Sequence, residues 1–127
     1  MEGIVLLAEA ANTHDKLVSM LRGGITSIYS ESKPVNFAGS IVMFLVTRAE
    51  DAGVRKFLIE CKKSDGEVWM ALKQDVEISS GIKRINSVVP FVASFPEYDD
   101  FTLSLRVDDE VIASFEFEVA LPPQKSK

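Results

Sequence analysis

The feature that constrains the fold most is a two-residue alternation near the end of the chain. In residues 101–107 every second side chain is apolar, and residues 111–119 largely repeat this pattern after the acidic turn Asp108-Asp109-Glu110. Neighbouring side chains of a β-strand point to opposite faces of the sheet. The pattern therefore predicts a β-hairpin with one buried face and one face in water.

A second turn signal lies in the middle of the chain. The Asp65-Gly66 pair favours the positive φ angles of a tight hairpin turn. It predicts a hairpin that joins a strand over residues 55–63 to a strand over residues 68–78.

Two more strands are predicted from apolar runs. A strand over residues 86–95 contains Pro90, which cannot donate a hydrogen bond to a neighbouring strand, so this strand is predicted to lie at a sheet edge or to contain a bulge. Residues 40–47 form the other strand. Residues 31–38, which include Pro34, are predicted to be a loop.

The first 24 residues admit two interpretations. Thr13 or Asp15 could cap a helix that runs to the stop signal Gly23-Gly24. Alternatively, residues 3–11 and 17–30 are two strands, and Gly23-Gly24 is a bulge that lets the second strand bend from one sheet to the other. We favour strands, because residues 25–30 then continue the same element.

The composition supports an all-β fold. The chain has 23 valines and isoleucines against 10 leucines, together with 8 phenylalanines, and β-branched and aromatic residues are enriched in strands. About eight strands with short connections predict an antiparallel β-sandwich with a Greek-key or jelly-roll-like path. At 127 residues the chain is expected to form one domain over residues 1–121, followed by a polar tail over residues 122–127.

Several short segments resemble a known family. They are residues 4–12 (IVLLAEAAN), residues 15–17 (DKL), residues 21–25 (LRGGI) and the turn at residues 107–110 (VDDE). In these segments the chain is similar to a family of small bacterial domains of unassigned function. The resemblance implies a compact stand-alone β-sandwich, and it brings no catalytic motif.

The charge pattern argues against several partners. The net charge is −5, and residues 85–124 hold 8 acidic residues against the single base Arg106. Nucleic-acid binding requires clustered lysine and arginine, so no nucleic-acid partner is expected. The longest apolar run, residues 41–46, is far below the roughly 20 residues of a membrane-spanning helix. Because Glu2 lies where a signal peptide carries positive charge, we expect a cytoplasmic protein.

The residues that could carry chemistry are few. His14 is the one histidine, and no nucleophile motif accompanies it, so a small hydrolase built on His14 is the least favoured function. Cys61 is in phase with Phe57 and Ile59, which predicts a buried thiol. One cysteine and one histidine cannot form a structural zinc site. We expect no cofactor and no enzymatic activity.

Two kinds of ligand remain as alternatives. If all strands alternate in direction, the loops at 12–16, 48–54, 79–85 and 108–110 share one end of the sandwich. That end would collect the acids Asp15, Glu50, Asp51, Asp108, Asp109 and Glu110, which could bind calcium. A carbohydrate would need an aromatic platform, for which the candidates are Tyr29, Tyr98 and Trp69. The alternation predicts that Trp69 faces outward, and an outward tryptophan is also typical of a protein contact.

The most specific functional prediction comes from strands that are apolar on both faces. In residues 40–47, Val42, Phe44 and Val46 point away from Ile41, Met43 and Leu45, and residues 4–7 repeat the pattern. One sandwich core cannot cover both faces. We therefore expect a non-catalytic interaction or structural module that binds itself or a protein partner. The predicted interface contains Val42, Phe44, Val46 and Trp69, or the equivalent face of residues 4–7.

Overall fold

The structure, a computed structural model, describes residues 1–14, 17–81 and 84–123. In these ranges the chain forms nine strands and one short 3-10 helix at Ala49–Asp51. The strands are β1 (Glu2–His14), β2 (Leu17–Gly23), β3 (Ser27–Tyr29), β4 (Val35–Val46), β5 (Gly53–Lys63), β6 (Val68–Ile78), β7 (Arg84–Phe95), β8 (Asp99–Val107) and β9 (Glu110–Ala120). No helix in the described part of the chain is long and apolar enough to cross a membrane.

The strands form two sheets, which confirms the predicted all-β sandwich. One sheet has four strands in the order β2-β1-β4-β7, and the other has five in the order β3-β9-β8-β5-β6. Pairing is antiparallel except that β3 runs parallel to β9. The ninth strand arises because the strand predicted over residues 17–30 is divided into β2 and β3.

Both predicted hairpins are present. Asp108 and Asp109 form the two-residue turn between β8 and β9, with φ angles of 49° and 69°, the positive values that this tight turn requires. Gly66, with a φ of 87°, turns the chain between β5 and β6. The turn chemistry in the sequence was therefore a reliable guide.

The strand that precedes the β5–β6 hairpin is longer than predicted. β4 spans Val35–Val46, so the second half of the predicted loop at 31–38 is strand. Its alternation continues through Val35 and Phe37, which face the core. Gly39 lies inside the strand, where a Cβ atom would collide with the carbonyl oxygen of Ala8 on β1. It permits this close approach instead of ending the strand.

The opening segment forms strands. β1 and β2 pair from Ala8 with Gly23 to His14 with Leu17, so the helical alternative is wrong for the described residues, while residues 15–16 lie outside them. Gly24, with a φ of 77°, follows β2 in the four-stranded sheet and precedes β3 in the five-stranded one. The predicted change of sheet at Gly23-Gly24 is confirmed, although it separates two strands.

The core lies between the sheets and is centred on four aromatic rings. Phe95 of β7 enters from the four-stranded sheet and stacks on Trp69 at 4.7 Å between ring centroids. Phe95 also contacts Phe101 at 5.0 Å and Phe117 at 6.1 Å. Phe95 is fully buried. This one ring of the four-stranded sheet therefore packs against three rings of the five-stranded sheet.

The prediction that Trp69 faces outward is wrong. Cys61 pairs with Met70 and Lys62 pairs with Val68, which leaves Trp69 as the extra residue of a bulge in β6. A bulge interrupts the alternation of side chains. The indole turns inward and packs half-buried against the core.

The core arrangement yields a stability prediction. Phe95→Ala removes the ring that contacts three others, and it should lower the free energy of unfolding by about 3–5 kcal/mol. Val92→Ala lies on the same strand at 74% exposure and should change it by less than about 0.5 kcal/mol. Urea denaturation followed by tryptophan fluorescence measures both values. Equal losses in the two variants would contradict the central place given to Phe95.

Candidate interaction surface

The outer face of the four-stranded sheet is apolar over three strands. Leu6, Val42 and Val88 lie side by side in register on β1, β4 and β7. Rows above and below contain mostly apolar or small side chains. We define the apolar face as Ile4, Leu6, Val42, Phe44, Val46, Val88, Pro90 and Val92. The nearest charged residues in these rows are Glu2 and Arg84, which lie on either side of Val46 at one border of the apolar face.

The exposure of the predicted interface residues differs along this face. Val46 is 47% exposed and Phe44 is half-buried, but Val42 is fully buried although it points away from the core. Its neighbours on the face, Leu6 and Val88, are themselves half-buried. Val42 is thus the centre of a small apolar layer, and the prediction that it lies at the surface is wrong.

The most accessible parts of the apolar face lie around Val42. Ile4 is 59% exposed and Val92 is 74% exposed. Of residues 4–7, only Ile4 and Leu6 belong to this face, because Val5 and Leu7 point into the core. The contribution of β7 was missed in the sequence, although residues 88–92 are apolar on both phases just as residues 41–46 are.

The outer face of the five-stranded sheet has the opposite character. Arg106 Nε lies 3.0 Å from Glu60 Oε1 in an ion pair on this face, and the carboxylate is only 12% exposed. Lys62 on β5 and Glu116 on β9 lie in register with Thr102 on β8. Charged side chains keep this face solvated, so the two outer faces differ sharply in polarity.

The acidic loops are held together by Arg55. Its guanidinium donates to the backbone oxygens of Glu50 at 2.7 Å and Asp51 at 3.0 Å, and to the carboxylate of Asp108 at 2.9 Å. Residues 12–14 do not lie at this end, and Asp15 lies outside the described residues. β1 begins beside Val46 and ends at His14, at the opposite end of the sandwich, because the extra strand β3 shifts the alternation of the connections.

Two of the carboxylates at this end, those of Asp51 and Asp108, are already hydrogen-bonded. The backbone N–H of Arg48 donates to Asp51, and the backbone N–H of Lys56 donates to Asp108. These hydrogen bonds favour the ionised form and lower the pKa of both carboxyl groups. In the described residues no three His, Cys, Asp or Glu side chains come close enough to hold a metal ion. The calcium alternative gains no support.

The three candidate rings for carbohydrate binding do not form a platform. Trp69 packs into the core. The hydroxyl of Tyr98 donates to the backbone oxygen of Ser30 at 3.0 Å, and Lys33 covers its ring. Tyr29 on β3 is 46% exposed, and its hydroxyl donates to the carboxylate of Glu118 at 3.4 Å.

His14 and Cys61, the two residues considered for chemistry, differ in their exposure to solvent. His14 is exposed at the end of β1. Cys61 is buried, as predicted, and lines an apolar cavity of about 170 Å³ between β6 and β7. Burial raises the pKa of its thiol to about 12, so the thiol is protonated at neutral pH.

A comparison with known protein families matches residues 3–120 to a family described as a family of unknown function (DUF6941). The chain belongs to this family. The match runs from β1 through β9, which confirms the resemblance to a family without assigned function. No curated protein matches the DUF6941 chain.

One exposed element of the DUF6941 chain was overlooked in the sequence. Leu17, Met20 and Leu21 of β2 are 70%, 42% and 58% exposed. Residues 17–21 are apolar on both phases of a strand that has a single neighbour, β1. An apolar pattern on both phases could have indicated an exposed edge strand in the sequence. It was not interpreted in this way, because the same residues also fit the helix alternative.

The buried thiol of the DUF6941 chain leads to a labelling prediction. At about pH 8 a pKa near 12 leaves roughly a thousandfold less thiolate than an ordinary cysteine has. Cys61 should therefore react with a thiol reagent about a thousandfold more slowly in the native chain than in the urea-unfolded chain. Mass spectrometry of samples quenched at successive times measures both labelling rates. Similar rates would contradict the burial of this sulfur.

The turn carboxylate of Asp108 leads to a pH prediction. Its pKa is lowered in the folded chain, so it stabilises the fold above the unfolded value of about 3.9. This contribution is lost as the pH falls through the folded pKa. Asp108→Asn should lower the urea midpoint at neutral pH, and the difference from the parent should shrink steadily in acid. Asp109→Asn, in the same turn, is the control, and an equal pH dependence in both would overturn the assignment.

Proposed function

We propose that the chain is a non-catalytic interaction module that self-associates through the apolar face. The observation that supports this most is the contrast between the two outer faces. The outer face of the five-stranded sheet carries charged side chains at its centre, whereas Ile4 and Val92 on the four-stranded sheet are exposed with no charged residue opposite them in register. Val46 is exposed at the border of the apolar face, between Glu2 and Arg84. Contiguous exposed apolar surface of this kind marks protein contacts.

The size of the apolar face indicates the strength of the association. Three strands about 4.8 Å apart and nine residues of about 3.3 Å each cover roughly 400 Å² of flat sheet. Stable complexes bury about 800 Å² on each partner. The apolar face alone therefore supports a reversible, concentration-dependent contact.

A second copy of the chain is the partner we favour. A twofold axis places the same surface on both sides of a contact, and an uncharged face meets its own copy without electrostatic repulsion. The central layer of Leu6, Val42 and Val88 is preformed, so binding would order few additional side chains.

We also propose that the protein is cytoplasmic. The chain contains a single cysteine, Cys61, which is a free thiol, and reducing compartments keep such thiols free. Fractionation of cells that express a tagged full chain tests this, and recovery outside the cytoplasmic fraction would overturn it.

The self-association proposal is tested with matched surface variants. Val46→Glu and Ile4→Glu place a charge on the apolar face, whereas Val111→Glu places the same charge at a valine of similar exposure, 51% against 47% for Val46, on the other sheet. Each face variant should raise the dissociation constant by about tenfold or more, because the change occurs twice in a symmetric contact. Val111→Glu should leave it unchanged.

The measurement is light scattering after size exclusion, over a dilution series that starts at high micromolar concentration. Circular dichroism confirms that each variant is folded. A parent chain that stays monomeric throughout the series ends the proposal. An oligomer that resists both face variants moves the contact to another surface.

A further inference from the structure

Strand β2 is an open sheet edge. It lies at the end of the order β2-β1-β4-β7 and pairs only with β1 in the described ranges 1–14, 17–81 and 84–123. All of its residues except Val18 are exposed. One side of its backbone therefore has no strand to accept or donate hydrogen bonds.

The other three sheet edges are protected in ways that natural proteins use. β7 contains Pro90, and β6 exposes Lys73, Asp75 and Glu77 along its length. β3 has only three residues. Proline, charge and short length each discourage pairing with another chain. Residues 17–21 of β2 contain none of these features.

The sequence of β2 is complementary to itself in one antiparallel register. With a twofold axis at Ser19, Leu17 lies opposite Leu21 of the second copy, and Val18 lies opposite Met20. Ser19 then lies opposite its own copy. Apolar side chains lie opposite apolar side chains in all rows of this register except that of Ser19, and such cross-strand pairs stabilise sheets. A shift by one residue would place Ser19 opposite Met20 or Val18.

The register also has a natural end. Arg22, the next residue, has a φ of 51°, which is outside the extended region of a strand. Its guanidinium lies 3.2 Å from the carboxylate of Glu9 on β1. The charge is thus held within its own hairpin, and the pairing segment is limited to residues 17–21.

We propose that β2 pairs antiparallel with β2 of a second copy about a twofold axis at Ser19, which joins two four-stranded sheets into one of eight strands. This proposal deepens the proposed self-association and rests on it only because both require a second copy of the chain. The edge of β2 and the apolar face are different surfaces.

A cysteine at the axis tests this contact directly. Residues directly opposite in an antiparallel pair have Cα atoms about 4.5–5.5 Å apart, which suits a disulfide. Ser19→Cys should therefore form a disulfide-linked dimer under mild oxidation. The native thiol Cys61 is buried and does not compete.

Asn12→Cys is the matched control. Asn12 is exposed and lies directly opposite Ser19 within the hairpin. In the proposed dimer the two copies of residue 12 are three strand spacings apart, about 14 Å, too far for a disulfide. Non-reducing electrophoresis over time should show cross-linking at least about tenfold faster for Ser19→Cys. Equal rates would overturn the proposal.

Charge variants at the same position provide a second measurement. Ser19→Lys and Ser19→Glu each place like charges opposite each other, and each should weaken the association by about fivefold. A one-to-one mixture of the two should restore it at low salt. No loss in either variant would overturn edge pairing. If Val46→Glu weakened the association and Ser19→Lys did not, the apolar face would be the contact and pairing through β2 would be ruled out.

Discussion

The packing of Phe95 against three rings of the opposite sheet is the contact on which the remaining architecture depends. The ring is fully buried and contacts Trp69, Phe101 and Phe117. Because a sandwich has no hydrogen bonds between its layers, side-chain packing alone fixes how the sheets lie on each other. Trp69 takes part only because the bulge in β6 turns it inward. The core thus depends on an irregularity in one strand as much as on regular alternation.

The all-β class, two hairpins and the edge position of the strand that contains Pro90 could be predicted from the sequence, since each follows from local chemistry. The bulge at Trp69 could not, because it depends on the pairing between two strands and leaves no mark in β6 alone. The division of the strand predicted over residues 17–30 into β2 and β3 could not be predicted for a related reason. The three residues of β3 pair with β9 in the other sheet, and the extra strand also explains why the end assigned to residues 12–14 was wrong.

The candidate surface was predicted in part. The double apolar phase of residues 40–47 correctly indicated that the strand has an apolar outer side, but it could not show that Val42 is fully buried there. Burial on a sheet face depends on the strands at either side, here β1 and β7. The sequence shows what β4 contributes to the face. The face itself is a property of three strands that are distant in the chain.

The buried outer position of Val42 has a consequence for how the chain folds. β4 is covered on its core side by the other sheet and flanked by strands that begin 33 residues before and 49 residues after it in sequence. Pairings over such separations form slowly. Until both neighbours arrive, six consecutive apolar residues, 41–46, are open to other chains, and such segments nucleate aggregates. Slow synthesis and low temperature should therefore favour recovery of folded protein, because they reduce the concentration of chains in that state.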